Sequence, residues 1–241
     1  MTEVMINLGA GLQQADSWIG YDRSRSPLIA RSSVLRGILR ALHAMGLTSR
    51  KAPLSWPDTT RVHDVTKGIP HADGSVDVIY SSHMLEHLHR EEVAVLLAEC
   101  FRVLRPGAWI RLVVPDLAIL AGAYASGDRT YFRNDEPTIA DAFVRSLELQ
   151  RQERAYGRFE RLARHALRTD DGGHRWMYDA ESLGYRMRAA GFTDIESAGF
   201  QKGRCQAAAA MDTQSRSSIY LEGRKPGRES PFPQSGPVKE T

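Results

Sequence analysis

The sequence predicts an α/β fold: a Rossmann-like, doubly wound, mostly parallel sheet with a helical cap insertion. Two observations carry the fold class. Short apolar runs alternate with segments of helical period, and the runs are apolar on both faces, as strands covered by helices on two sides must be. A third observation gives the insertion: from residue 117 to 172 the alternation stops and the composition turns helical and Arg-rich.

Val4-Met5-Ile6-Asn7-Leu8 reads as a first buried strand ending in Gly9-Ala10-Gly11, and Trp18-Ile19-Gly20-Tyr21 as a second ending at Asp22. From Pro27 to Met45, Leu28, Leu35, Ile38, Leu39, Leu42 and Met45 recur at helical spacing with Arg31, Arg36 and Arg40 between them. This predicts one amphipathic helix, begun by Ser26-Pro27 and stopped by Gly46. Thr60 to His63 is a third strand ending at Asp64, and Val76 to Tyr80 a fourth. Val93, Leu96, Leu97, Cys100, Phe101 and Leu104 keep helical spacing until Arg105-Pro106-Gly107 stops it, and a fifth strand, Ala108 to Val114, follows. After the insertion, which ends in the turn Asp170-Asp171-Gly172-Gly173, Asp179 to Ala190 is a helix stopped by Gly191. Asp194 to Phe200 and Ser217 to Glu222 then predict two closing strands, paired as a hairpin at the sheet edge. The expected division is 1–116 for the first part of the main domain, 117–173 for the cap, 174–223 for the rest of the main domain, and 224–241 for a loose, Pro-, Gly- and Ser-rich tail.

The 241 residues, 42% hydrophobic and 25% charged, allow a full core and exclude the disordered, collagen-like and disulfide-scaffold classes. Cys100 and Cys205 lie far apart without metal-ligand spacing, which points to a reducing compartment. Residues 1–4 lack the basic region of a secretory signal, and the most apolar stretch, 108–125, is broken by Arg111, Pro115 and Asp116, so a cytoplasmic chain without a membrane span is expected. A net charge of +3 is too small to imply nucleic acid.

In an open α/β sheet, ligands bind beyond the carboxyl ends of the strands. Gly9, Ala10 and Gly11 follow the first strand, where absent Cβ atoms let a ligand approach the backbone, or simply permit a tight turn. Asp22 follows the second, placed either to accept hydrogen bonds from a pair of ribose hydroxyls or to cap the next helix. Asp64 and Val65 follow the third; Ser81, Ser82 and His83 follow the fourth.

In order along the chain come Asn7-Leu8-Gly9-Ala10-Gly11, Trp18-Ile19-Gly20-Tyr21-Asp22, His63-Asp64-Val65 to Ile69-Pro70, Asp73-Gly74-Ser75-Val76-Asp77-Val78-Ile79-Tyr80, Glu86-His87-Leu88 and Arg102-Val103-Leu104-Arg105-Pro106-Gly107. Together they resemble the class I S-adenosylmethionine-dependent methyltransferases, especially small bacterial enzymes of the type 11 kind. The resemblance covers residues 4 to 116, and His174-Arg175-Trp176-Met177-Tyr178-Asp179 resembles a later segment of the same branch. It implies S-adenosylmethionine as cofactor. Gly9, Ala10 and Gly11 would line its methionine and ribose portion, Asp22 its ribose hydroxyls, and Asp64 with the Val65 backbone its adenine edge. Ser81, Ser82 and His83 would border the reactive methyl. Because that branch often accompanies glycan assembly, the expected reaction is methylation of an oxygen on a sugar or similar small or carrier-linked acceptor. The alternative is a binding module that holds the donor or its product, or a partner, without catalysis.

One departure stands out. Only Leu12 to Ser17 separate Gly11 from Trp18, too few residues for the helix that usually follows the glycine loop, so the usual anion-binding helix end is expected to be missing.

His83 is the candidate catalytic residue, as a base or an acceptor-orienting group, with a structural hydrogen bond as the bland alternative. His174, Arg175 and Asp116 are the candidate acceptor-binding residues, although Asp116 could merely cap a helix and Asp179 with Ser182 could make 174–179 a simple helix start. His83-Met84-Leu85-Glu86-His87 also matches the H-x-x-E-H zinc signature. That signature needs a helix where a strand is predicted directly upstream, and no distal third ligand is evident, so no metal is expected. Seven arginines against three glutamates between Arg145 and Arg168 predict a solvated helix face, or else a surface suited to an acidic or phosphorylated acceptor.

Overall fold

The computed structural model describes residues 2–13, 15–46, 56–132, 135–149, 173–213 and 217–227. Seven strands form one sheet: β1 (Met5–Leu8), β2 (Trp18–Asp22), β3 (Thr60–Val62), β4 (Val76–Ser82), β5 (Leu104–Pro115), β6 (Thr193–Ala198) and β7 (Ser218–Arg224). Their spatial order is β3-β2-β1-β4-β5-β7-β6. The first five are mutually parallel, and β7 runs antiparallel to both β5 and β6. The doubly wound sheet of the sequence reading is thus present. The closing pair does adjoin at the edge, but not as a tight hairpin: β7 inserts between β5 and β6, and a short helix lies in the connection.

Two departures have local causes. The helix expected over Pro27–Met45 is two helices, α1 (Ser26–Arg31) and α2 (Ser33–Ala44). Ser32 sits between them in extended conformation, and its side chain accepts the Leu35 amide, because serine offers the backbone a cap in place of a continuing turn. The Arg105-Pro106-Gly107 stop falls inside β5. Pairing with β4 jumps from Val76–Leu104 to Val78–Trp109, so residues 105–108 bulge out of the ladder, and Gly107 at φ +84° takes the backbone angle the bulge requires.

One face of the sheet buries Ile6, Leu8, Ile79, Ile110 and Leu112 under Val93, Leu96, Leu97 and Cys100 of α3 (Arg90–Val103) and Leu183 and Met187 of α6 (Ala180–Ala189). On the other face, Met5, Trp18, Tyr80 and Val113 pack against Cys205, Ala208 and Met211, around the four-residue α7 (Gln206–Ala209). No helix occupies the crossover from β1 to β2 among its described residues, as the short spacing implies. Gln13 from that crossover reaches Met211, bonding its carbonyl, so the late segment ties down the short one.

Arg111 on β5 is fully buried, which the apolar reading of that strand did not anticipate. It donates to Asp212 (2.5 and 3.0 Å), Glu222 (2.8 Å) and the carbonyls of Gly199 and Lys202. Both carboxylates lie at 0% side-chain exposure, so the triad pins the 199–212 segment onto β5 and β7. The start of the insertion holds α4 (Leu117–Ala125) and α5 (Ile139–Ser146), whose Leu120, Ala123 and Ala142 gather with Phe132, Leu147 and Met177 in a separate apolar cluster. Most of the Arg-rich stretch, Arg151 to Arg168, lies outside the described residues.

Candidate active site

The strand order reverses between β1 and β4, so loops diverge there and leave a crevice at the carboxyl ends. Gly9 and Gly11 both take left-handed angles, φ +70° and +53°. A Cβ on Gly9 would meet Met84 Cγ at 2.6 Å, whereas one on Gly11 would point into open space. Gly9 therefore serves close packing and Gly11 faces the crevice. The Gly9 and Ala10 amides both donate to the Tyr21 carbonyl, holding the loop against β2.

Asp22 ends β2. Its Oδ2 accepts the Gly11 amide at 3.0 Å and its Oδ1 the Ser24 amide at 2.7 Å. Burial pushes its carboxyl above the ordinary value, and those two amides and Arg23 pull it back. The carboxylate is held by backbone at one lone pair per oxygen, which leaves acceptor capacity on each. Asp64 stands two residues beyond Val62, the partner of Asp22 in the ladder, with Oδ1 accepting the Thr66 hydroxyl at 2.7 Å. Val65 opens a 3-10 turn with its side chain in the core. A nucleoside fits this set: two hydroxyls can donate to Asp22 and an exocyclic amino group to Asp64, beside a glycine loop that leaves room.

Glu99 and Arg102 near the end of α3 pin the 69–73 loop that leads into β4. Arg102 donates to the carbonyls of Ile69 and His71 and to Asp73, and Glu99 accepts the Ile69 amide. Their mutual ion pair, at 2.7 Å, holds the Glu99 carboxyl down at about 2.

At the end of β4, Ser81 departs from expectation. It is fully buried and its hydroxyl donates to the Leu8 carbonyl at 3.0 Å, so its side chain joins two strands and does not border the crevice. Ser82 is half-buried at the strand end. His83 takes φ +50°, an angle a non-glycine residue rarely holds, while its amide donates to Val113. Its Nε2 lies 3.2 Å from Ser218 Oγ and its Nδ1 3.2 Å from Glu86 Oε1.

The segment after the insertion returns to this place. The amides of Arg175 and Trp176 donate to the Glu86 carbonyl, and Tyr178 bridges Asp116 beside β5. His174 is buried, with Nδ1 on the Leu147 carbonyl at 2.8 Å. The Arg175 guanidinium turns to the His87 carbonyl and the His89 ring. Asp116 caps α4 through the Ala118 amide, and Asp179 forms a capping box with Ser182, so both bland alternatives hold. Glu86 is almost wholly buried at this junction. The signal was present in Glu86-His87, but its partner in space lies 88 residues on.

A family model described as a methyltransferase domain matches residues 32–112, which include Asp64, the end of β4 and Glu86 but not the glycine loop or Asp22. Among solved structures, a SAM-dependent methyltransferase from Methanosarcina mazei is 13% identical, with 94% of each chain covered and a TM-score of 0.50, a likeness of fold. One from Mesorhizobium loti is 16% identical over 92% of this chain and 91% of its own, with a TM-score of 0.43. No curated protein matches the sequence.

Proposed function

We propose that the chain is a class I S-adenosylmethionine-dependent methyltransferase, a reading supported by the methyltransferase-domain match over residues 32–112 and the likeness of fold, and that its acceptor is an oxygen of a sugar or a similar small or carrier-linked metabolite. S-adenosylmethionine supplies an electrophilic methyl on a positively charged sulfur: the carbon–sulfur bond breaks as the carbon–oxygen bond forms, and S-adenosylhomocysteine and the hydroxyl proton leave. The chain's own residues have the task of alignment, from which most of the rate can come. Gly9, Ala10 and Gly11 give the donor room, Asp22 holds the ribose, and Asp64 with the Val65 backbone reads the adenine edge. Ser82 and His83 border the methyl.

The observation that carries the acceptor reading is the strained His83. With its backbone at φ +50°, Glu86 Oε1 3.2 Å from one ring nitrogen and Ser218 Oγ 3.2 Å from the other, His83 is aimed rather than free. We assign His83 the task of fixing the acceptor's approach beside the methyl donor. The described start of the insertion, α4 and α5, is assigned the cap over the acceptor. His174 and Arg175 act at its edge through the loop that carries Glu86, and Asp116 through the start of α4. No helix among the described residues is long and apolar enough to cross a membrane, and a cytoplasmic location with no nucleic-acid partner suits the reading.

Incubation with methyl-labelled donor and a panel of hydroxylated acceptors, followed by identification of the product, tests it. Label on a carbohydrate oxygen supports the proposal. Label confined to nitrogen acceptors overturns it. Binding of S-adenosylhomocysteine with no turnover on any acceptor favours the non-catalytic module.

A further inference from the structure

Glu86 is 1% exposed, and neither of its carboxylate oxygens has a hydrogen-bond partner. His83 Nδ1 approaches Oε1 at 3.2 Å without making one. A buried carboxylate left this way is costly unless something positive completes it. Besides His83, two further imidazoles stand next to it. One ligand atom each from Glu86, His87 and His174 lie within 4.8 Å of one another, and the His87 and His174 rings meet edge to face at 5.0 Å.

The state of His174 matters. A carbonyl can only accept, so the 2.8 Å contact to Leu147 makes Nδ1 the protonated nitrogen and leaves the lone pair on Nε2, which lies 3.8 Å from Glu148 Oε2. A backbone carbonyl on the far ring nitrogen is the outer-shell arrangement that orients a metal-ligating histidine and raises its basicity. The site also lies at a seam: Glu86 and His87 belong to the turn after β4, while His174 opens the segment that returns from the insertion.

We propose that Glu86, His87 and His174 form a divalent transition-metal site, best suited to Zn²⁺. Two imidazoles and one carboxylate are a zinc donor set, and three protein ligands leave a fourth position for water. Tetrahedral ligands with bonds of about 2.1 Å stand about 3.4 Å apart, so binding draws the three groups together by side-chain rotation, with His174 fixed by Leu147. The ligands are not those of the H-x-x-E-H signature. His83 is outside the set, and the missing distal ligand is His174. The proposal holds whatever the acceptor is, and it gives the buried carboxylate a charge partner.

The test uses the full chain, stripped with chelator, and needs no acceptor. Elemental analysis after Zn²⁺ loading and dialysis is expected to give one metal per chain. Co²⁺ in place of Zn²⁺ is expected to give the visible absorption of a low-coordinate site, and Zn²⁺ to raise the melting temperature. His174→Gln and His87→Gln are expected to lower Zn²⁺ affinity at least about tenfold, the scale of losing even an outer-shell contact. An unchanged circular dichroism spectrum of the metal-free variants separates ligand loss from misfolding; if His174→Gln fails to fold, the half-buried His87→Gln carries the test. No bound metal and no thermal shift in the native protein would overturn the proposal, as would the same shift in both variants.

Discussion

The carboxylate of Asp22 accepts the amide of Gly11 at 3.0 Å, so the end of the second strand is bonded to the loop that ends the first. A single side chain thereby shapes the glycine loop and keeps lone pairs for a ligand. Asp22→Ala is expected to abolish donor binding while the fold persists. Calorimetry with S-adenosylhomocysteine checks this, and unchanged affinity would remove Asp22 from the site.

The same carboxyl should make donor binding sensitive to acid. Burial raises its pKa above 3.8. A carboxyl raised in the folded state keeps its proton longer than in the unfolded chain, so this group adds stability in acid and loses it as pH rises through the raised value. Ribose hydroxyls need the charged form as acceptor. Donor affinity should therefore be full near neutrality and fall as pH drops through the raised value. Asp22→Asn should bind weakly at every pH, without that acid limb.

His83→Ala is expected to lower turnover by about 10²-fold, the scale of a misaligned reacting group, with little change in donor affinity. Steady-state kinetics beside calorimetry separate the two. Equal turnover on the native acceptor would reduce His83 to a structural role.

Arg111→Met should destabilise the fold by roughly 3–5 kcal/mol, because Asp212 and Glu222 would remain buried without their cation. Urea denaturation measures it. A cost near zero would mean that both carboxyls take up protons or water freely.

Glu99 sets a pH dependence of the opposite sign to that of Asp22. Arg102 is the main cause that lowers its carboxyl from 4.5 to about 2. A depressed carboxyl contributes stability that is present above 4.5 and is lost as pH falls towards about 2. Glu99→Gln should flatten that part of the stability curve and loosen the 69–73 loop. An unchanged curve would contradict the role given to the pair.

The strands and the loops after them were legible because burial on both faces writes continuous apolar runs, and because glycine and aspartate mark where those runs end. Asp22 and Asp64 stand where that reading puts them. What escaped it depends on distance along the chain. Ser81 reads like Ser82 locally, yet Leu8 on the neighbouring strand claims its hydroxyl. Arg111 looks like an intrusion in an apolar strand until Asp212 and Glu222 arrive from the far end. Ser32 breaks a helix whose apolar spacing runs straight through it, since periodicity is blind to a cap. Glu86 and His87 gave no sign of a partner because His174 stands far along the chain from them.

A crystal of the protein with S-adenosylhomocysteine tests the central claim most directly. The account expects both ribose hydroxyls within hydrogen-bond distance of Asp22, the adenine amino group at Asp64, and the sulfur turned towards His83. A nucleoside bound elsewhere, with Asp22 contacting only Gly11 and Ser24, would contradict it.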